Sequence, residues 1–384
     1  MRSILITTGI FPPDIGGPAS YGKILAEKLS KDFRVTLITY SSKLNWAEDK
    51  KLSFKVVRVW RKIPKFLRHL VYFFQVVSLA KKQDVIFALN SVSAGVPGLL
   101  AAKMRKKKFF VKVVGDYAWE IAVNKRKTSL LMNDFQKSKR KGWIGVLHKI
   151  QSWLTKNADG VIVPSEYLGR VVRGWGVSQN KIHVVYNQVE FKKSELTKEE
   201  ARKKIDISGN IIVSIGRLVP WKGFRMLIKI MPELLKINQF FRLVIIGDGP
   251  EKSNLDSMVK NMRLEKKVYI VGRKSQSEVA DYLAASDIFV LNTGYEGFSH
   301  LILEVMTAGV PVVTTTVGGN KEIIHQGENG FMVKYNDEFN LIEAIKTVWQ
   351  VPEMRQRFID GGLKASGLFS VDSMFQETVK VLKS

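Results

Sequence analysis

Between Asp287 and Val333 the chain reads DIFVLNTGYEGFSHLILEVMTAGVPVVTTTVGGNKEIIHQGENGFMV, and few folds accommodate that order. Ile288–Leu291 is an apolar run of the length expected for a buried strand. Gly294-Tyr295-Glu296-Gly297 cannot sustain a helix, whereas residues from Phe298 or Ser299 to about Thr307 favour one. Gly309 and Pro311 then stop that helix ahead of a second β-rich run, Val312–Thr316. A strand therefore feeds a glycine loop that opens a helix, whose free N–H groups and positive dipole end face whatever lies above the sheet. That geometry suits a phosphate. Glu296 and Glu304 bracket it in an E-x7-E spacing. A carboxylate does not attract phosphate, but it accepts hydrogen bonds from sugar hydroxyls. Backbone donors for an anion beside carboxylates for hydroxyls describe a nucleotide-sugar site.

The rest of the chain repeats the same alternation. Runs at Ile4–Thr8, Val35–Tyr40, Lys55–Trp60, Val85–Leu89, Phe109–Val114, Gly160–Val163 and Lys181–Tyr186 read as strands, with helix-length segments near Tyr21–Ser30 and Ile63–Ala80. A polar stretch, Glu190–Asn210, interrupts the series, and Ile211–Ile215 restarts it. Strands separated by helices imply parallel sheets with right-handed crossovers, hence an α/β chain of two Rossmann-like domains. A length of 384 residues also favours two domains over one. Ligands in such sheets sit at the carboxyl ends of the strands. A last helix is expected at about Val371–Leu382, after a break at Gly367.

Composition removes several function classes. The absence of cysteine excludes disulfides, thiolate metal sites and a cysteine nucleophile. No Asp-x-Asp pair occurs, and the five histidines (69, 148, 183, 300 and 325) lack ligand spacing, so no protein metal site is expected. Met1-Arg2 runs straight into a first strand without a signal-peptide core, and no apolar run reaches the ~18–20 residues of a membrane span. The expected location is cytoplasmic, with peripheral attachment to a membrane allowed. Net charge is +26, unevenly spread: residues 1–190 carry +22 (34 Lys and Arg against 12 Asp and Glu) and residues 191–384 only +4 (27 against 23). A basic N-terminal half fits nucleic acid, an anionic membrane or a phosphorylated acceptor. Zinc-finger spacing, an RNP-like aromatic motif and a repeated helix-turn-helix pattern are all lacking, so nucleic acid is not expected as a partner.

The segment EGFSHLILE, the strand GVPVV behind it and Gly318-Gly319-Asn320 with Glu322 together resemble the donor-site signature of retaining glycosyltransferase family 4. Ile215-Gly216-Arg217, Lys222-Gly223 and Ile246-Gly247-Asp248-Gly249-Pro250 match that family in order and spacing. The resemblance is strong over the C-terminal half and weaker over the N-terminal half. It implies the GT-B fold, two Rossmann-like domains facing each other across a cleft. Residues 1–187 would bind the acceptor, with a C-terminal helix (368–384) packing back on them, and residues 188–367 would bind the donor. It implies transfer of a sugar from a UDP- or GDP-linked donor to a glycan or lipid-linked acceptor, with no metal or other cofactor.

Roles follow residue by residue. A departing nucleoside diphosphate gains negative charge, which fixed cations can neutralise. Arg217 offers a planar fork and Lys222 a mobile point charge just after the restarting strand. By resemblance, Glu304 accepts from the ribose, Glu296 from the donor sugar, and Gly297, Phe298 and Ser299 supply backbone N–H groups. Gly216 belongs to the same motif. Gly272 and Arg273, with Lys274, would lie along the base, and Gly16-Gly17 resembles the glycine loop that in this family approaches the diphosphate and the reacting sugar. Many relatives carry a histidine near the strand end at Lys112–Glu120; here Gly115-Asp116 stands there. Asp116 is expected either to contact a sugar hydroxyl or to be an exposed strand-end carboxylate.

In Arg61–Lys82 (RKIPKFLRHLVYFFQVVSLAKK) the expectation is a helix packing Leu70, Phe73, Phe74 and Val77 on the sheet, its basic ends near lipid head groups together with Lys103–Lys108. Trp143, His148 and Trp153 read as an ordinary helix face. Two other functions fit the residues. One is a nucleotide-sugar epimerase on a similar scaffold; the other is a non-catalytic basic protein binding membrane or nucleic acid beside a vestigial donor site.

Overall fold

Short runs of β-branched and aromatic residues, each followed by a helix, build two parallel sheets in the computed structural model, which describes residues 2–14, 17–188 and 191–384. The chain divides into Met1–Tyr186 with Asp372–Ser384, and Asn187–Val371. Gly16, expected in the first glycine loop, lies outside the described residues.

The first unit opens with β1 (Ser3–Thr7), α1 (Gly17–Leu29), β2 (Arg34–Ser41) and β3 (Lys55–Trp60). It continues through α2 (Lys65–Ala80), β4 (Val85–Ala88), α3 (Gly95–Arg105) and β5 (Lys108–Lys112). Three helices, α4 (Tyr117–Asn124), α5 (Met132–Lys137) and α6 (Gly142–Lys156), lead to β6 (Gly160–Val163), α7 (Glu166–Gly174) and β7 (Ile182–Val184). The sheet order is β3-β2-β1-β4-β5-β6-β7, every pair parallel. Its core joins Ile4, Ile6, Leu37, Phe87 and Ile162 to Leu25 and Leu29 of α1.

In the second unit α8 (Lys198–Ile205) precedes β8 (Asn210–Ile215), α9 (Phe224–Ile237), β9 (Phe241–Ile246), α10 (Lys252–Asn261) and β10 (Val268–Gly272). There follow α11 (Gln276–Ala285), β11 (Ile288–Leu291), α12 (His300–Thr307), β12 (Val312–Thr315) and β13 (Phe331–Val333). Helices α13 (Glu338–Gln350), α14 (Pro352–Gly367) and α15 (Val371–Lys383) end the chain. The order β10-β9-β8-β11-β12-β13 reverses between β8 and β11, which opens a crevice where ligands bind in sheets of this kind. Helix α9 faces the sheet with Phe224, Leu227, Ile228, Met231 and Leu234, the three- and four-residue spacing of an amphipathic helix. Helix α15 belongs to the first unit: Met374 and Leu382 join its core, and Lys28 pairs with Asp372 at 2.7 Å.

Two local expectations need correction. The polar stretch before β8 contains α8, started by a capping box in which Thr197 Oγ1 accepts from Glu200 N–H at 3.3 Å and Glu200 accepts from Thr197 N–H at 2.8 Å. A lysine- and glutamate-rich sequence hides such a helix because its apolar stripe is almost absent. In α2, Tyr72, Val76, Val77 and Ala80 are buried while Leu70 and Phe74 are exposed. The helix is apolar on both sides, so its sequence did not say which side meets the sheet. Among the described residues, no helix is long and apolar enough to cross a membrane.

Candidate functional site

The crevice between β8 and β11 gathers most of the residues singled out in the sequence. Gly216 follows β8 and donates its N–H to Ile246 O at 2.9 Å, tying the ends of β8 and β9 together. Arg217 comes next and is exposed, with no acidic partner among the described residues. A single 3-10 turn, Pro220–Lys222, carries Lys222 to the start of α9. Gly223 makes that approach possible: its φ is +62°, and a Cβ there would lie 2.0 Å from Asn292 O.

From β11 the chain runs through Asn292–Ser299 into α12. Asn292 is wholly buried and spans three segments, donating to Gly223 O at 3.2 Å and Asn336 Oδ1 at 2.9 Å while accepting from Asn336 N–H at 3.0 Å. Thr293 donates to Tyr295 O at 2.9 Å, and Gly294 N–H donates to Trp221 O at 2.6 Å. These bonds lock the glycine loop against the turn that carries Lys222. Lys222 Nζ then forms an ion pair with Glu296 Oε1. Behind the loop, Gly319 N–H donates to Glu296 O at 3.1 Å. Gly318 sits so close that a Cβ would fall 1.8 Å from that same oxygen, at a φ of +56°. The Gly318-Gly319 pair therefore fixes where the Glu296 backbone stands.

Gly297 and Phe298 lead into the helix, Phe298 buried with its ring 5.5 Å from that of Phe369. Ser299 caps α12, its hydroxyl accepting from Ile302 N–H at 3.4 Å. Glu304, on the second turn, is half-buried, its carboxyl group has no hydrogen bond or ion pair among the described residues, and burial pushes that carboxyl up to about 7. A carboxylate in that state gains from any hydroxyl donor brought to it. Gly272 ends β10 and its carbonyl accepts from Gly247 N–H at 2.9 Å. Arg273 beside it is exposed, two strands from β8. Lys274 pairs with Glu278 at 3.2 Å and lies over the Tyr282 ring.

Asp116 and Gly17 belong to the other unit. Gly17 begins α1. Asp116 is neither exposed nor open to a sugar, which corrects both expectations for it. It is wholly buried as the N-cap of α4, with Oδ1 accepting from Trp119 N–H at 3.0 Å and Gln151 Nε2 at 2.8 Å, and Oδ2 from Gln136 Nε2 at 2.7 Å. A carboxylate with three donors in place is a structural cap. Neighbouring His148, which contacts Arg140 and Gln151, is held below the usual imidazole range by burial and then by the Arg140 charge. It is part of a polar network, not of a plain helix face.

Sequence reasoning missed Asn292 and named Asn320 only as part of a motif, without the bracing role both have; Asn320 Nδ2 donates to Thr314 Oγ1 at 3.1 Å and Thr315 O at 3.2 Å. For Asn292 the available signal was an asparagine directly after an apolar strand. It also gave no role to Lys112, which is almost wholly buried at the end of β5. Lys112 donates to Tyr21 Oη at 2.6 Å, and burial brings its amine down to about 7. Among the described residues, no group of three or more His, Asp or Glu is placed to hold a metal ion.

With this geometry in hand, comparison with known proteins is specific. Residues 197–365 match Glycosyl transferases group 1, and residues 15–193 match Glycosyltransferase Family 4. The chain is 24% identical over 253 residues to N-acetylgalactosamine-N,N'-diacetylbacillosaminyl-diphospho-undecaprenol 4-alpha-N-acetylgalactosaminyltransferase of Campylobacter jejuni, covering 66% of each. It is 30% identical over 186 residues to the lipopolysaccharide core biosynthesis glycosyltransferase LpsE of Rhizobium meliloti, covering 48% of this chain and 53% of that one. The chain thus spans between about half and two thirds of these relatives' lengths. The crystal structure of Anabaena Alr3699/HepE in complex with UDP-glucose superposes with a TM-score of 0.81 at 20% identity, covering all of both chains. That likeness is one of fold.

Proposed function

The chain belongs to the family-4 glycosyltransferases, and on that premise we propose a retaining enzyme that moves a sugar from a UDP- or GDP-linked donor to a glycan or lipid-linked acceptor in cell-envelope polysaccharide or glycolipid synthesis. The observation that carries the proposal is the Lys222–Glu296 pair at the point where the strand order reverses, on the same post-β8 segment as Arg217, whose side chain has no acidic partner among the described residues. It supports a reading in which two cations meet a diphosphate and a carboxylate meets a sugar. The names of the relatives support the substrate class: one acts on an undecaprenol-linked glycan, another in lipopolysaccharide core biosynthesis.

In this reading the diphosphate sits above Gly216, Arg217 and the start of α9. As the bond from sugar to phosphate breaks, charge grows on the leaving oxygen, and Arg217 and Lys222 stabilise it more strongly than in the ground state. The acceptor hydroxyl attacks from the face that the phosphate leaves. Its proton passes to the departing phosphate oxygen, so configuration is retained without a strong enzymic base. Glu296 accepts from hydroxyls of the transferred sugar and at the same time aims Lys222. Glu304 accepts from the ribose, while Gly297, Phe298 and Ser299 direct backbone donors toward the phosphates. Gly272 and Arg273 would meet the base. The first unit would bind the acceptor, with the protein peripheral at the cytoplasmic face of a membrane. Two fixed cations are proposed to make a divalent metal unnecessary.

Incubating the protein with a panel of UDP- and GDP-sugars and envelope glycan or polyprenol-linked acceptors is the direct test. Acceptor-dependent release of UDP or GDP, with the anomeric configuration kept in the product, is expected. Conversion of the nucleotide sugar to its epimer without transfer would overturn the proposal.

A further inference from the structure

The outer face of α2 is built unlike that of a helix meant for water. Phe66, Leu67, Leu70 and Phe74 succeed one another at helical spacing and expose 75, 52, 39 and 65% of their surfaces. They cannot turn inward, because Tyr72, Val76, Val77 and Ala80 already fill the buried side. A contiguous exposed apolar stripe marks an interaction surface. It extends onto α3, which lies alongside: Arg105 Nε donates to Val77 O at 3.2 Å, and Met104 is 61% exposed. Farther along, Lys103 donates to Asn157 Oδ1 at 2.7 Å and lies 5.5 Å over the half-exposed Trp153 ring of α6.

Charge names the occupant. Between Arg61 and Lys108 the chain carries eleven Lys and Arg and a single acid, Asp84, whose carboxylate is bonded to Ser3 at 2.8 Å. Not all the cations are available. Arg61 is paired with Asp14 at 2.6 Å, and Arg68 donates to Arg61 O at 2.6 Å. Lys62, Lys65, Lys81, Lys82 and Lys106 are exposed with no acidic partner among the described residues. An apolar stripe rimmed by lysines fits an anionic bilayer, where the rings enter the boundary between head groups and acyl chains and the ammonium groups meet phosphates. A second copy would bring the same basic face to the contact, since a twofold interface is self-complementary, and would be repelled.

We propose that α2, with Met104 of α3, is a docking surface for an anionic lipid bilayer, inserted through Phe66, Leu67, Leu70 and Phe74. It rests on the peripheral placement given above but not on sugar transfer. Attachment therefore has two parts: a lysine part that salt screens and an apolar part that salt leaves in place. Cosedimentation with phosphatidylglycerol–phosphatidylcholine vesicles, in the absence of any nucleotide sugar, tests it. Wild type is expected to bind at low salt and to keep a bound fraction at high salt. Phe66→Ser/Phe74→Ser should lose about tenfold or more in partition and the whole salt-resistant fraction, whereas Phe66→Leu/Phe74→Leu should keep both. Lys62→Gln/Lys65→Gln should weaken low-salt binding alone. Because the altered side chains are exposed, unchanged thermal melting is expected of every variant. Failure of wild type to bind these vesicles, wild-type binding by the serine variant, or a wild-type dimer that the serine variant dissolves would each overturn the proposal. None of those results depends on whether sugar is transferred.

Discussion

Lys222 and Glu296 stand 74 positions apart in the chain and meet as an ion pair whose side chains keep only 16% and 15% of their exposure. The pair joins the turn after β8 to the loop after β11. In the proposed reading each partner also has a task toward the donor, so either substitution would disturb both sides of the crevice.

Arg217→Ala and Lys222→Ala should each lower turnover about a hundredfold or more, because in the proposed mechanism each removes a contact that strengthens as the leaving phosphate gains charge. Steady-state kinetics on the donor that the nucleotide-sugar panel identifies measure this. The Arg217 side chain has no acidic partner among the described residues, so its variant should melt like wild type, and turnover within threefold of wild type would remove it from the site.

The ion pair predicts coupling in stability. Lys222→Met leaves Glu296 as an unpaired, largely buried carboxylate, and Glu296→Gln leaves Lys222 in the same position, at a cost of roughly 1–3 kcal/mol each. The double variant should be less destabilised than the two single losses added together, with an interaction energy of about 1 kcal/mol or more. Denaturant unfolding of all four proteins closes the cycle.

Glu304 sets a pH dependence. Its carboxyl is raised from 4.5 to about 7 by burial, so between those values the unfolded chain ionises first. Stability therefore falls as pH rises through that window and levels above it, by roughly 3 kcal/mol at most. Glu304→Gln should abolish the fall and melt higher than wild type at pH 8, with the two alike near pH 4. Ribose hydroxyls favour the ionised form, so UDP or GDP should bind with release of a proton near neutrality. Calorimetry in buffers of different ionisation enthalpy reads that proton. Glu304→Gln should also weaken free-nucleotide binding, whereas Glu296→Gln should mainly reduce transfer.

Activity should survive chelation. If Arg217 and Lys222 counter the diphosphate as proposed, assays in EDTA retain most of the wild-type rate. Complete loss restored by Mg²⁺ or Mn²⁺ would show that a metal, not the side chains, carries the charge.

Asp116→Ala should behave as a core lesion. Removing the cap strands the donors of Trp119, Gln151 and Gln136 at a cost of about 1–3 kcal/mol. The fraction that remains folded should turn over within a few-fold of wild type, checked by active-site titration alongside thermal melting.

Local sequence was enough for the strand-loop-helix units, because an apolar run, a glycine loop and a helix start are each written in adjacent residues. Ile288–Leu291 and Gly160–Val163 fall where their patterns put them, and the positions of Arg217, Lys222, Glu296 and Glu304 relative to their elements followed from the same reading. Tertiary structure alone decided what those side chains touch. That Lys222 reaches Glu296 depends on β8 and β11 being neighbours, which is a property of strand order. Asp116 lost its expected role because Gln136 and Gln151 arrive from α5 and α6 to occupy it. Helix α2 was ambiguous for a simpler reason: its residues are apolar on two sides, and only packing against the sheet could choose which side stayed outside.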